Sequence, residues 1–129
     1  MKSWNKKEKR SYFIVYTLLF SVIMVFVFGI FAYYKKDMIW KEDGLKQHYI
    51  SLAYFGKWGR EIITNIFVRH TFQIPLWDFH LGYGSDILTT LHYYVIGDPL
   101  NLLSIFVPQA YTEDLYQALI VIRMYLAGI

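Results

Sequence analysis

The sequence predicts an all-α membrane protein. It should consist of a transmembrane helix 1, a large extracytoplasmic loop with amphipathic and interfacial helices, and the start of a transmembrane helix 2. Three observations predict it. No charged residue occurs from Tyr12 to Tyr34. A second apolar run, Leu115 to Ile129, is interrupted by Arg123 alone. The stretch between the two runs is too aromatic and too apolar to be a linker. Of the 129 residues, 56% are hydrophobic, 20% aromatic and 18% charged, whereas soluble domains carry about 25% charged residues. This balance excludes an intrinsically disordered chain. The absence of cysteine excludes a disulfide scaffold and any thiolate metal site. A net charge of +3 does not point to a nucleic-acid partner.

Residues 1–11 read as a basic cytoplasmic tail. Lys2, Lys6, Lys7, Lys9 and Arg10 are offset only by Glu8, and the positive-inside rule places such a tail in the cytoplasm. Residues 12–34 read as transmembrane helix 1. As a helix the run is about 35 Å long, against about 30 Å of hydrocarbon. It has no amphipathic stripe, so its whole surface calls for lipid or protein. Tyr12, Tyr16, Tyr33 and Tyr34 fall where an aromatic belt would meet the two interfaces. A cleaved signal peptide is the competing reading. It has an apolar core of only about 7–15 residues and a small-x-small cleavage site, and here only Val27–Phe28–Gly29 comes near one.

Residues 35–111 then form the extracytoplasmic loop. From Leu45 to Phe67, apolar residues recur at three-to-four spacing: Leu45, Tyr49, Leu52, Phe55, Gly56, Ile62, Ile63, Ile66 and Phe67. Such a helix could lie on the membrane surface or pack inside an ordinary domain, since both give the same periodicity. Gln73 to Asp86 is turn-rich, punctuated by Pro75, Gly82 and Gly84. Ile87 to Ile96 and Leu100 to Val107 are short apolar helices, separated by Gly97–Asp98–Pro99 and closed by Pro108. Neither spans a bilayer; they read as interfacial or re-entrant pieces. Residues 112–129 begin the second membrane helix. Thr112 is its expected N-cap, with Glu113 and Asp114 favouring the dipole in the first turn. The apolar stretch is shorter than the usual span of about 17–25 residues. The sequence therefore reads as the N-terminal part of a larger polytopic protein, cut within its second helix; a complete two-helix protein is the alternative.

Four groups of residues bear on chemistry. Glu42 and Asp43 follow the first helix. A carboxylate there could act as a general base on a sugar hydroxyl or bind a cation beside a lipid phosphate. Local sequence alone favours Asp43 as the N-cap of the helix that follows. Arg123 lies deep in the second apolar run, where an arginine costs several kcal/mol unless it pairs, faces water or snorkels. It could bind a lipid phosphate bidentately or pair with a carboxylate elsewhere. Gly82–Tyr83–Gly84 matches the filter triplet of potassium channels, yet Asp78, Phe79 and His80 precede it and residues 85–114 separate it from the second membrane helix. A tight turn is the simpler reading. His48, His70, His80 and His92 lack zinc spacing, and Asp78-x-His80 supplies only two ligands. The sequence contains no Asp-x-Asp.

The order of motifs carries a resemblance. Asp43–Gly44 with Gln47 and Tyr49 is followed by Pro75–Leu76–Trp77, Gly82-x-Gly84 and Tyr93–Tyr94. Asp98–Pro99, Asn101–Leu102–Leu103, Pro108, and Arg123 ahead of Leu126–Ala127–Gly128 complete it. From about Tyr12 to Ile129 the chain resembles the N-terminus of the YfhO family of bacterial membrane proteins, which have the GT-C glycosyltransferase architecture. The resemblance implies an enzyme that takes a sugar from a polyprenyl-phosphate lipid and transfers it to an envelope polymer such as lipoteichoic acid in a Gram-positive bacterium. It implies Asp43 as the catalytic group, with Glu42 as the alternative; Arg123 resembles a basic position of the family's second helix, and Arg123, Gln47 and Trp77 are inferred to bind substrate. No metal ligand set is implied; a divalent cation is compatible with the acid and leaves metal dependence open. The part of the protein in hand is expected to be inactive by itself. A non-catalytic transporter, flippase or envelope scaffold of the same architecture is the other reading.

Overall fold

In the computed structural model, which describes residues 5–129, the first helix starts at a capping box. The Asn5 side chain accepts from the Lys7 amide at 2.6 Å, and the Glu8 carboxylate accepts from the Asn5 amide at 2.7 Å. These bonds satisfy backbone donors that a helix N-terminus leaves free. They start α1 (Lys6–Tyr33) inside the basic tail, ahead of the uncharged run. Lys2 lies outside the described residues. Helix α1 is long and apolar enough to cross a membrane. Much of its apolar surface has no cover among the described residues: Val25 is 74% exposed and Phe26 70%. Leaving that surface in water would cost about 25 cal/mol per Å².

The chain divides into two compact units. One comprises the described part of 1–38 together with 120–129, the other Ile39–Leu119. In the first, α1 meets the end of α5 (Thr112–Ala127) along a tyrosine seam. Tyr12 Oη donates to the Gly128 carbonyl at 2.9 Å, and Tyr16 Oη to the Tyr125 carbonyl at 2.8 Å. The Thr17 and Tyr125 hydroxyls lie 2.9 Å apart. A side chain at Gly128 would collide with the Tyr16 phenol. Small residues and hydroxyl bonds of this kind let helices associate where the hydrophobic effect offers little.

The second unit has a continuous apolar core of Leu52, Phe55, Ile87, Leu91, Val95 and Leu119. The helix expected over Leu45–Phe67 is present and packed. It opens with a π-helical segment, Gly44–Tyr49, and continues as α2 (Ile50–Phe67). Gly56 and Gly59 on α2 form a seat for α4 (Leu103–Phe106). A Cβ at Gly56 would stand 2.5 Å from the Ser104 carbonyl oxygen, and one at Gly59 2.6 Å from the Ile105 side chain. Arg60 secures the same contact: its Nη1 donates to the Ser104 and Val107 carbonyls, each at 2.7 Å. It thus serves carbonyls that the end of a helix leaves without partners. The apolar stretch Ile87–Ile96 forms α3 (Ile87–Leu91) and a π-helical turn, His92–Ile96. Pro99–Leu102 is a 3-10 turn whose Leu100 amide donates to the Asp98 carboxylate at 2.9 Å.

Two expectations need correction. The unit is not purely helical: β1 (Trp77–Asp78) pairs antiparallel with β2 (Ser85–Asp86), Trp77 opposite Asp86 and Asp78 opposite Ser85. Strands of two residues leave no alternation to read. Thr112 is not an N-cap. A 3-10 turn, Gln109–Tyr111, runs straight into α5, so Thr112 already has helical angles (φ −64°, ψ −31°) and is buried. A cap keeps extended angles.

Candidate functional site

Asp43 has helical backbone angles (φ −67°, ψ −32°) and its side chain makes no capping bond. The capping role that local sequence allows is therefore not the one it plays. Its carboxylate is exposed and accepts from Gln47 Nε2 at 3.1 Å. Two of the expected site residues thus meet, four positions apart, on the first turn of the long helix. Glu42 is engaged differently. It forms an exposed ion pair with Lys46 at 2.5 Å, an arrangement worth less than about 1 kcal/mol in water. That pairing leaves Asp43 as the carboxylate with an uncharged partner and open acceptor positions.

Arg123 lies in α5, half-buried and with an interaction partner of its own. It belongs to the unit that contains α1, while Asp43, Gln47 and Trp77 belong to the other.

Trp77 stands in a separate place, on the hairpin. Gly82 (φ +64°) and Gly84 (φ +102°) take left-handed backbone angles in the connection, as glycine does without steric cost. The Gly-Tyr-Gly triplet is thus a turn, with Tyr83 wholly exposed at its tip. Gly84 also lets the rings of Phe79 and Trp77 approach, since a Cβ there would lie 3.2 and 3.5 Å from them. Trp77 is 57% exposed and lines a cleft of about 200 Å³ with Asp78 and, from α2, Tyr54, Lys57, Trp58 and Glu61. Neither Asp43 nor Gln47 lines it.

Hydrogen bonds fix the walls of this cleft. Tyr54 Oη donates to Asp78 Oδ2 at 2.6 Å, while the His80 amide donates to Asp78 Oδ1 at 2.8 Å. His80 Nδ1 lies 2.9 Å from the same oxygen. The Tyr54 bond first, and the His80 bonds after it, hold the Asp78 carboxyl down at about 2. Burial first, then the hydrogen bond to Asp78 and that carboxylate's charge, push the Tyr54 phenol well above its ordinary range. Trp58 Nε1 donates to the Pro75 carbonyl at 2.8 Å, locking its ring. Among the described residues, the side chains of Lys57 and Glu61 make no hydrogen bond or ion pair. No three metal-ligating side chains gather among the described residues.

Sequence reasoning reached Trp77 but not its neighbours. Tyr54, Lys57, Trp58 and Glu61 are spaced three and four apart and so share one helix face. That spacing was legible, yet aromatic residues in such a stripe read first as core.

Residues 13–129 match the model of the family described as bacterial membrane protein YfhO. No curated protein and no solved structure matches the chain.

Proposed function

The chain belongs to the YfhO family of bacterial membrane proteins, and on that premise we propose that it is the N-terminal part of a polytopic glycosyltransferase working at the outer face of the cell membrane. The sugar comes from a polyprenyl-phosphate donor and goes to an envelope acceptor such as lipoteichoic acid. The N-terminus is cytoplasmic, on the strength of Lys6, Lys7, Lys9 and Arg10 beside α1. The folded unit Ile39–Leu119 is extracytoplasmic, and α5 begins the second crossing.

The observation that carries this reading is the state of Asp43. A carboxylate spared from capping its helix, exposed, and held by a neutral amide is suited to take a proton. In the reaction, Asp43 removes the proton of an acceptor hydroxyl. The hydroxyl oxygen forms a bond to the anomeric carbon as the bond from that carbon to the phosphate oxygen breaks. Polyprenyl phosphate leaves, and the anomeric centre inverts. Gln47 orients the carboxylate. Arg123 is a phosphate-binding cation, because guanidinium matches phosphate geometry.

Cells producing the full-length protein with Asp43→Asn test the reading. At a normal level of protein in the membrane, envelope glycosylation should fall to background. Retained glycosylation would remove Asp43 from the chemistry and favour a transporter or scaffold.

A further inference from the structure

We propose that the cleft between α2 and the hairpin is a carbohydrate subsite that holds a neutral pyranose ring. The inference deepens the glycosyltransferase reading and rests on it for the sugar's purpose, although binding itself needs no turnover.

A pyranose has apolar faces of C–H groups and an equator of hydroxyls. The cleft offers a partner for each. Trp77 presents a large, flat, half-exposed ring that burial of a C–H face would cover. Its position is set from behind by the hairpin turn at Gly84 and by Phe79, whose ring centroid is 6.3 Å away. On the opposite wall, Glu61 and Lys57 supply an acceptor and a set of donors that no group of the described chain uses. Asp78 has three bonds on a carboxylate with about four acceptor positions, leaving one for a hydroxyl. The cavity of about 200 Å³ accommodates a single ring.

Charge narrows the ligand further. Two carboxylates, Glu61 and Asp78, face one ammonium, Lys57. The cleft is net acidic, and the bonds from Tyr54 and His80 keep Asp78 ionised. Phosphate-bearing groups are therefore repelled. The subsite fits the sugar and not the phosphate that carries or accepts it.

Saturation-transfer NMR on the full chain, in a detergent without a sugar headgroup, tests this. The probes are methyl pyranosides of glucose, galactose and N-acetylglucosamine, with glycerol 1-phosphate as the anionic polyol. At least one pyranoside should receive saturation on its ring protons, and glycerol 1-phosphate should neither receive it nor compete. Trp77→Ala should weaken binding about tenfold or more, equivalent to about 1.4 kcal/mol. Trp77→Phe, which keeps a ring, should retain most of it, and Glu61→Gln should weaken it several-fold. The proposal fails if no pyranoside is saturated, if Trp77→Ala binds like the wild type, or if glycerol 1-phosphate competes. Sugar binding that depends on Trp77, beside glycosylation that survives Asp43→Asn, would sink the catalytic reading and leave the subsite standing. The converse would sink the subsite alone.

Discussion

Asp78 and Asp43 are carboxylates of the same folded unit, and their neighbours give them different work. Asp78 is wrapped by a tyrosine hydroxyl and by His80, so it stays ionised far into acid. Its depressed value makes its contribution to folding fully present above the ordinary carboxylate value of 3.8 and lost as the pH falls through about 2. Tyr54→Phe removes the largest cause. In that variant the Asp78 carboxyl should titrate closer to 3.8, so the variant should be less stable at neutral pH and lose less stability on acidification than the wild type. A carboxyl NMR titration alongside melting curves from neutral pH to about pH 2 checks this. Superimposable profiles would mean that the Tyr54 bond is unimportant in solution. Asp43 was legible in the sequence as an acid just past a membrane helix, but its local role was not. A cap and a free side chain have the same sequence; only the backbone angles separate them.

At the scale of elements, the apolar rhythm announced the helices and little else. The pattern over Leu45–Phe67 became a helix because its stripe meets a real core. The breaks at Gly97–Asp98–Pro99 and Pro108 fell where proline and glycine put them. The π-helical segments were not legible, since one extra residue per turn hardly alters a short apolar pattern. The hairpin escaped for the same reason of length. The seat on α2 was hidden as well: Gly56 and Gly59 look like weak points in a helix until α4 is placed against them. That seat gives a sharp prediction. Gly59→Leu must push Ile105 away and should destabilise the unit by about 1–3 kcal/mol through overpacking. Urea unfolding followed by circular dichroism measures it. A variant as stable as the wild type would show that α4 does not rest there.

For the whole molecule, membrane attachment was the most legible property, because a long uncharged run has few other uses. The existence of a separately packed unit over Ile39–Leu119 was less so. The sequence showed several short apolar helices, but which of them share one core depends on contacts far apart in the chain. The proposed topology can be tested with single cysteines placed in these 129 residues, which hold none of their own, in a full-length protein otherwise freed of cysteine. Lys7→Cys should react with a membrane-impermeant maleimide only after the cells are opened. Tyr83→Cys, at the exposed hairpin tip, should react in intact cells. The opposite pattern would invert the orientation and move Asp43 to the cytoplasmic side. The central claim concerns that carboxylate, and purified full-length protein tests it most directly. The quantity to measure is sugar transfer from a polyprenyl-phosphate donor, comparing wild type with Asp43→Asn at equal donor binding. We predict that the substitution reduces transfer by about 100-fold or more, as loss of a general base does. Transfer at the wild-type rate would contradict the claim.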